Sequence, residues 1–591
     1  MNWACRLSRW NGQGCLLAAV GLGLLWLVLA PPAGAEIIPS SRRINWEPGI
    51  PGGIPVRNTI FANVKDAAYG AKGDGVTDDT AAIRAAVSAC PAGQVVYIPA
   101  GRYLLTSTIN VTKGITVRGD GMYATVLLAK GANTRFFYVK SGGHDWNFGT
   151  STAIPLTGGL QKGSTSITVG VNPTEWAVGD IVVIDQLNDG VDVTPAGYNG
   201  DACNYCSRGS GTRNMGQLVQ VTSVNSTSFT FEPPLYMSYS QSLVPQALES
   251  KDMIRYMGFE NLQITNVNPT MVGVSQLLDF VGCAFWWVKD CLLAKADNYL
   301  LKAHNTYRGE VRGTTFRNAY NPGTSGYGPD HGYGMLYSYV NTACLFENNV
   351  LHDLHVAIAT QGPSSGHVIA YNFVTNTWSV DLSVTQPDIV FHSAHAHMVL
   401  VEGNNLMKIN ADNMNGSSGY NTLYRNRIRN KQGNENYLVN AVELMAHQYY
   451  YTVVGNVLGT PGFERYYETE GVDRSEYGTP SIYRFGYYSA SDEAAAGNDA
   501  RVKGTILRHG NWDSVTTANG GIVWDASISD HVIPTSLYLT GKPSWWGSGA
   551  WPPFGPDLTP RQSTLPAQQR FDASQGTQNK PTPPANLRVV P

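Results

Sequence analysis

The sequence predicts an all-β chain: a single-stranded right-handed parallel β-helix with a short N-terminal capping helix and a small β-rich insertion. Three observations carry this expectation. A marked repeat runs through the second half of the 591 residues. The first ordered stretch is a short amphipathic helix followed directly by strands. The composition, with 63 Gly, 31 Tyr and 14 Trp, suits many short strands joined by turns.

The repeat comes first because it is the strongest sign of a stacked architecture. The segments CLFENNVL, VIAYNFV, VLVEGNNL, TLYRNRI and TVVGNVL align on Asn349, Asn372, Asn404, Asn426 and Asn456, spaced 23, 32, 22 and 30 residues apart. Two spacings match a bare coil of a β-helix, and two are longer and imply loops. Three residues before each Asn stands Phe346, Ile369, Val401, Leu423 or Val453, an unbroken apolar column that reads as an interior stack. The asparagines then form a ladder of side-chain amides bonded from coil to coil, a structural role rather than a catalytic one.

The opening is read residue by residue. Ala71 to Gly75 is a turn, and Thr77 or Asp78 caps a helix from about Asp79 to Ala89. Ile83 and Val87, four apart, give that helix one apolar edge. Gln94 to Pro99 is a strand, and Gly101 to Val111 continues with β-branched residues. A small helix in this place covers the open end of a stack, where unpaired backbone invites aggregation.

Residues of about 155–242 differ in texture and read as the β-rich insertion. Its loop Asp201 to Arg213 contains Cys203-x-x-Cys206. With no second such pair, a local disulfide or two buried thiols suits an oxidising compartment better than zinc. Residues 1–35 read as an export signal. Arg6 and Arg9 precede an apolar run from Cys15 to Ala30, and Ala33-Gly34-Ala35 supplies a cleavage site before Glu36. The alternative is an uncleaved anchor, against which stand the shortness of the run and Pro31-Pro32. Residues 36–58 form an arm, 59–510 the β-helix, 511–560 a Trp- and Pro-rich cap, and 561–591 a linker-like tail. No later segment is long and apolar enough to span a membrane. Net charge is −3 and charged residues make up 14%, against a usual ~25%. Nucleic acid is therefore not an expected partner.

The run VKDAAYGAKGDGVTDDTAAIRAAV, then VVYIPAGRYLLTSTI, resembles the opening of the pectate-lyase-like superfamily of parallel β-helix proteins, which includes polygalacturonases, rhamnogalacturonases and epimerases. The resemblance implies a secreted, carbohydrate-active enzyme with a polysaccharide substrate. It also implies a groove along the first strand of each coil, with the ladder between the second and third. On that placement the first strands fall near 333–339, 355–361, 388–393, 412–416 and 440–447. Asp388, Asp412 and Glu443 then line one face, with His392 and His447 beside them as candidate catalytic groups. Trp378, His395, His397, Asn415 and Arg425 are candidate substrate contacts, and long loops around Trp378 and Tyr437 wall the row. No metal ligands and no cofactor are assigned.

The first expectation is a glycoside hydrolase working through paired carboxylates. Such enzymes need two carboxyls about 5 Å apart for retention or roughly 6.5–9.5 Å for inversion, and coils ~4.8 Å apart can provide either. The alternatives are a polysaccharide lyase, with Ca²⁺ neutralising a uronate carboxylate, and a glycan-binding β-helix without activity. The motifs of polygalacturonases (Asn-x-Asp, Asp-Asp, Gly-His-Gly, Arg-Ile-Lys) are missing in that order, as is the Asp-Pro-His-Glu of alginate epimerases. No catalytic set transfers residue by residue.

Overall fold

The computed structural model describes residues 36–131, 135–145, 147–197, 202–268, 275–319, 331–378, 385–430, 438–470, 478–488, 498–517 and 520–577. The expected leader and Tyr437 lie outside the described residues. The chain winds as a right-handed parallel β-helix with three strands per coil. One coil runs Leu400–Glu402, Asn405–Leu406 and Ile409–Ala411, and the next runs Thr422–Tyr424, Arg427–Ile428 and Asn440–Leu444. Counterpart strands of successive coils pair in parallel. They build three long sheets, here called A, B and C in coil order, of twelve, twelve and thirteen strands among the described residues.

Strands of two or three residues suffice because each contributes one interior side chain to a continuous stack. In sheet A, Phe346, Ile369, Val401, Leu423 and Val453 are in register, and each is fully buried. The turn from sheet A to sheet B has a fixed chemistry. The residue before each ladder Asn adopts positive φ: Asn348, Tyr371, Gly403, Arg425, Gly455 and Gly510. The Asn then closes the turn. Asn404 Nδ2 donates to the Ile369 carbonyl at 2.8 Å and to Asn426 Oδ1 at 3.0 Å, and its own Oδ1 accepts from Asn372 Nδ2 at 2.9 Å. The pattern extends past Asn456 to Asn511, which the sequence alignment did not reach. Buried amides joined in this way satisfy one another and the turn backbone, so the ladder fixes coil register.

The ends are covered. A helix, α1 (Thr80–Ala89), buries Ile83, Ala86 and Val87 against the first coil. Its N-cap is Asp79, one or two residues later than expected, and the Asp79 carboxylate accepts from Lys72 N and Gly73 N of the preceding turn. Residues 36–58 lie along the coils, with Trp46 buried and its Nε1 donating to the Met398 carbonyl at 2.8 Å. Residues Ile154 to Glu249 provide six strands that close into a small barrel. Cys203 and Cys206 form a disulfide there, while Cys90, Cys283, Cys291 and Cys344 are buried thiols. The expectation of a linker from 561 is corrected. Pro566–Thr577 is a helix, and Leu565, Ala567 and Phe571 pack into the apolar cluster under the C-terminal cap. Among the described residues, no helix is long and apolar enough to cross a membrane.

Candidate functional site

Sheet C presents its outer face as two polar columns. Register pairs Ala359, Val390, Asn410, Glu443 and, last, Arg484 on successive coils. Two residues further along, Gln361 pairs with His392. Asp412 follows strand Ile409–Ala411, and its amide still donates to the Phe391 carbonyl at 3.2 Å, so its side chain keeps the outward alternation.

Two linked constellations result. His392 Nδ1 lies 2.8 Å from Asp412 Oδ2, and Asn415 Nδ2 lies 3.0 Å from His392 Nε2. The imidazole is thereby held between the Asp412 carboxylate on one nitrogen and the Asn415 amide on the other. Around Glu443, Lys408 Nζ sits at 2.5 Å, Asn410 Nδ2 at 3.0 Å and an Arg484 nitrogen at 3.7 Å, and the Tyr487 hydroxyl donates to Oε1. Burial alone would raise the Glu443 pKa, but the charges of Lys408 and Arg484 overcome it and hold the carboxyl below the usual range. Burial, then Glu443 and more weakly Asp412, push the Tyr487 phenol well above its ordinary value. Both carboxylates thus act on one phenol. Glu443 is one coil and two residues from Asp412, which sets their backbone positions roughly 8 Å apart.

The turn edge beside Asp412 is shouldered by the barrel. Thr194 N donates to Ser417 Oγ at 3.0 Å, and Arg501 pairs with Asp192. A Cβ on Gly197 would stand 1.9 Å from the Met414 carbonyl oxygen, so only glycine admits this approach next to Asn415.

Other expected site residues fall elsewhere. Asp388 precedes strand Ile389–His392 rather than lying within it, and its side chain turns into the bend. It is fully buried and accepts from Met407 N at 2.5 Å and Thr377 Oγ1 at 2.6 Å; burial raises its pKa to about 6. His395 and His397 also leave the site. Their alternation belongs to the turn between sheets C and A, where His397 bridges Ser365 and Gly419 and His395 bonds Ser417. Burial lowers them to about 3 and about 4, so they are neutral structural rings. His447 lies in the corresponding turn one coil on, beside Tyr449, Tyr488 and Asp499 rather than either carboxylate. Arg425 occupies the positive-φ position before Asn426, which aims it away from sheet C. It donates to the carbonyls of Ile533, Pro534 and Phe554 and to both oxygens of Asp557. Trp378 is half-buried at the end of a sheet B strand, and its amide donates to the Leu354 carbonyl at 2.9 Å.

The first strand at 412–416 is corrected to Ile409–Ala411. That shift explains what sequence reading missed: Asn410 is the middle residue of the strand and Lys408 immediately precedes it, and Arg484 and Tyr487 come from a coil beyond the aligned repeats. Glu347 and Glu402, one residue after the interior column, stand on the outer face of sheet A but are buried. Among the described residues, no group of three or more His, Cys, Asp or Glu is placed to hold a metal ion.

Comparison with known proteins locates the sequence signal. Residues 61–197 match the family described as rhamnogalacturonase A/epimerase, pectate lyase-like. Over 60 residues the chain is 53% identical to a probable glucan endo-1,3-beta-glucosidase of Arthroderma benhamiae, a stretch covering 10% of this chain and 7% of that one. Over 159 residues it is 31% identical to a probable rhamnogalacturonase E of Aspergillus niger, covering 25% of this chain and 34% of that one. The chain thus spans only a minor part of these relatives' lengths. Among solved structures, the tailspike gp61 of Pseudomonas phage phi297 aligns over 77% of this chain and 80% of its own, at 12% identity and a TM-score of 0.46. The pectate-lyase-like resemblance read in the opening residues stands, and it is carried by that opening and by the fold.

Proposed function

We propose that the chain is a secreted polysaccharide-degrading enzyme, a glycoside hydrolase whose paired carboxylates are Asp412 and Glu443. One observation carries the reading: on adjacent coils of one sheet face, two carboxylates whose backbone positions are about 8 Å apart have opposite surroundings. Glu443 is held ionised by Lys408 and Arg484. Asp412 is joined to His392, a group able to share a proton with it. Side chains rising from such positions can bring their carboxyls to either the retaining or the inverting spacing; in the inverting displacement a water fits between one carboxylate and the sugar. Glu443 takes a proton from the attacking water, while the Asp412–His392 pair, entering the reaction with one proton more than a carboxylate and a neutral ring, gives that proton to the leaving glycosidic oxygen and is left as carboxylate and neutral imidazole. Asn415, on His392 Nε2, orients the ring so that Nδ1 faces Asp412. The pectate-lyase-like opening and the glycosidases among the relatives support the polysaccharide substrate, and the N-terminal leader pattern supports export.

A second reading is β-elimination on a uronate polymer. It is supported by Lys408, Arg484 and Tyr487 standing together at Glu443. There the cations would neutralise a uronate carboxylate, the task otherwise expected of Ca²⁺, and the phenol would handle the proton. A polysaccharide panel separates the readings. A hydrolase releases reducing ends without a new double bond, a lyase releases unsaturated ends that absorb in the ultraviolet, and a binder gives neither. Hydrolysis is the expected result, and unsaturated products would move the assignment to the lyase.

A further inference from the structure

The outer face of sheet B carries a cleft of about 630 Å³, whose lining differs sharply from the candidate site on sheet C. Arg102, Lys295 and Arg317 line it, no Asp or Glu does, and the remaining polar walls are Gln263, Thr265 and three asparagines. Among the described residues none of these three cations is in an ion pair, although the chain as a whole carries a net charge of −3. Two carboxylates stand at its margins: Asp74, in register with Arg102, is engaged by Val76 N and Thr77 N, and Asp353, which lies within the field of Arg317, is turned to His352 Nδ1 at 2.7 Å and accepts from Asn318 Nδ2 at 3.4 Å.

The placement of the cations follows from the register of the sheet. Arg102 is in line with Val126 and Gln263 on the next coils, and Ala294, beside Lys295, is in line with Arg317. From the strand of Arg102 to that of Arg317 there are four steps between neighbouring strands, or roughly 19 Å at ~4.8 Å per step. Positive charge spread over that length, parallel to the coil axis, matches an extended anion of several repeating units better than one small ion. The lining discriminates further. Nucleic-acid grooves pair cations with aromatic platforms for the bases, and no aromatic ring lines this cleft. Amide and hydroxyl side chains between cations instead suit the alternating hydroxyls and carboxylates of a sugar-acid chain.

We infer that this cleft is a binding site for an acidic polysaccharide segment, separate from the candidate catalytic face and engaging uronate carboxylates through Arg102, Lys295 and Arg317. It retains an anionic chain along the coil axis while another stretch of glycan reaches sheet C. The inference does not depend on which reaction sheet C performs.

The test is calorimetric titration of the whole chain with a tetragalacturonate, with neutral maltotetraose and with an oligothymidylate of similar charge. Each is repeated on Lys295→Gln/Arg317→Gln and on Asp412→Asn. All three changed cation and carboxylate positions lie on outer faces, and melting temperatures verify folding. The expected result is binding of the acidic tetramer that weakens with salt, no binding of maltotetraose, and a loss of at least about tenfold in the Lys295/Arg317 variant. In Asp412→Asn that binding persists, which separates this site from the one on sheet C. Equal or tighter binding of oligothymidylate, binding unaffected by the Lys295/Arg317 change, or no binding of the acidic tetramer would overturn the inference.

Discussion

Two glutamates on two faces of the same helix have opposite electrostatics. Glu402, on the outer face of sheet A, and Glu443, on the outer face of sheet C, are almost equally buried. Glu402 is covered by the C-terminal cap: it accepts from Tyr371 at 2.8 Å and from Leu537 N at 2.9 Å. Burial dominates, and its pKa rises to about 7. Glu443 meets Lys408 and Arg484 and is held low. Burial therefore does not decide protonation; the neighbours do. The comparison also separates a face the chain covers with its own aromatic cap from a face that carries ionised groups on successive coils.

Breaking the Glu443 cluster has the largest expected effect. Glu443→Gln leaves Lys408 and Arg484 buried without their counter-charge, at a cost of about 3–5 kcal/mol, and removes turnover as well. Denaturant unfolding reads the first effect and reducing-end release the second. Retained stability would mean that the cations find other partners.

On sheet A the corresponding break is mechanical. Arg425→Met strands the two buried carbonyls of Ile533 and Phe554 and unpairs Asp557, which is partly exposed, while the Pro534 carbonyl keeps its bond from the Tyr424 hydroxyl. The expected cost is about 2–4 kcal/mol. Limited proteolysis should then cut within 530–560 while polysaccharide cleavage by the intact fraction continues. Loss of activity without loosening of the cap would contradict the division of labour between the two faces.

Glu402→Gln is the mildest change and sharpens the comparison through pH. The folded pKa of about 7 lies above the ordinary glutamate value of 4.5, so the folded state binds the proton more tightly than the unfolded one. This residue's contribution is complete at low pH and is lost as pH rises from about 4.5 towards 7, by up to roughly 3 kcal/mol. The glutamine variant should match the parent within about 1 kcal/mol near pH 4 and be the more stable of the two above pH 7. Thermal melts across that range read the crossing, and parallel curves would refute the raised pKa.

The fold was legible because its period is written in residues that cannot vary freely. The interior column Phe346 to Val453 and the asparagines of the A–B turn repeat together, and stacking demands both. The site was legible only in part. Asp412, His392, Asn415 and Glu443 do come together on one outer face, that of sheet C, since alternation along a short strand survives small boundary errors. Asp388 was lost to such an error: one residue before the strand, its side chain turns into the bend. His395 and His397 alternate as strand residues do, yet belong to a turn. Arg425 was misread because the positive-φ position before each ladder Asn has no single residue type, being Asn, Tyr, Gly or Arg in different coils. The partners of Glu443 were out of reach, because Lys408 and Arg484 are brought to it by coil stacking across 35 and 41 residues of sequence.

The most direct measurement is turnover of Asp412→Asn on whichever polysaccharide the parent chain cleaves, alongside its melting temperature. The substitution keeps the side chain's shape and a hydrogen-bond acceptor for His392 while removing the charge. The account predicts a fall in turnover by orders of magnitude with the melting temperature nearly unchanged. Parent-like turnover from a fully folded variant would contradict the assignment of the outer face of sheet C as the catalytic face.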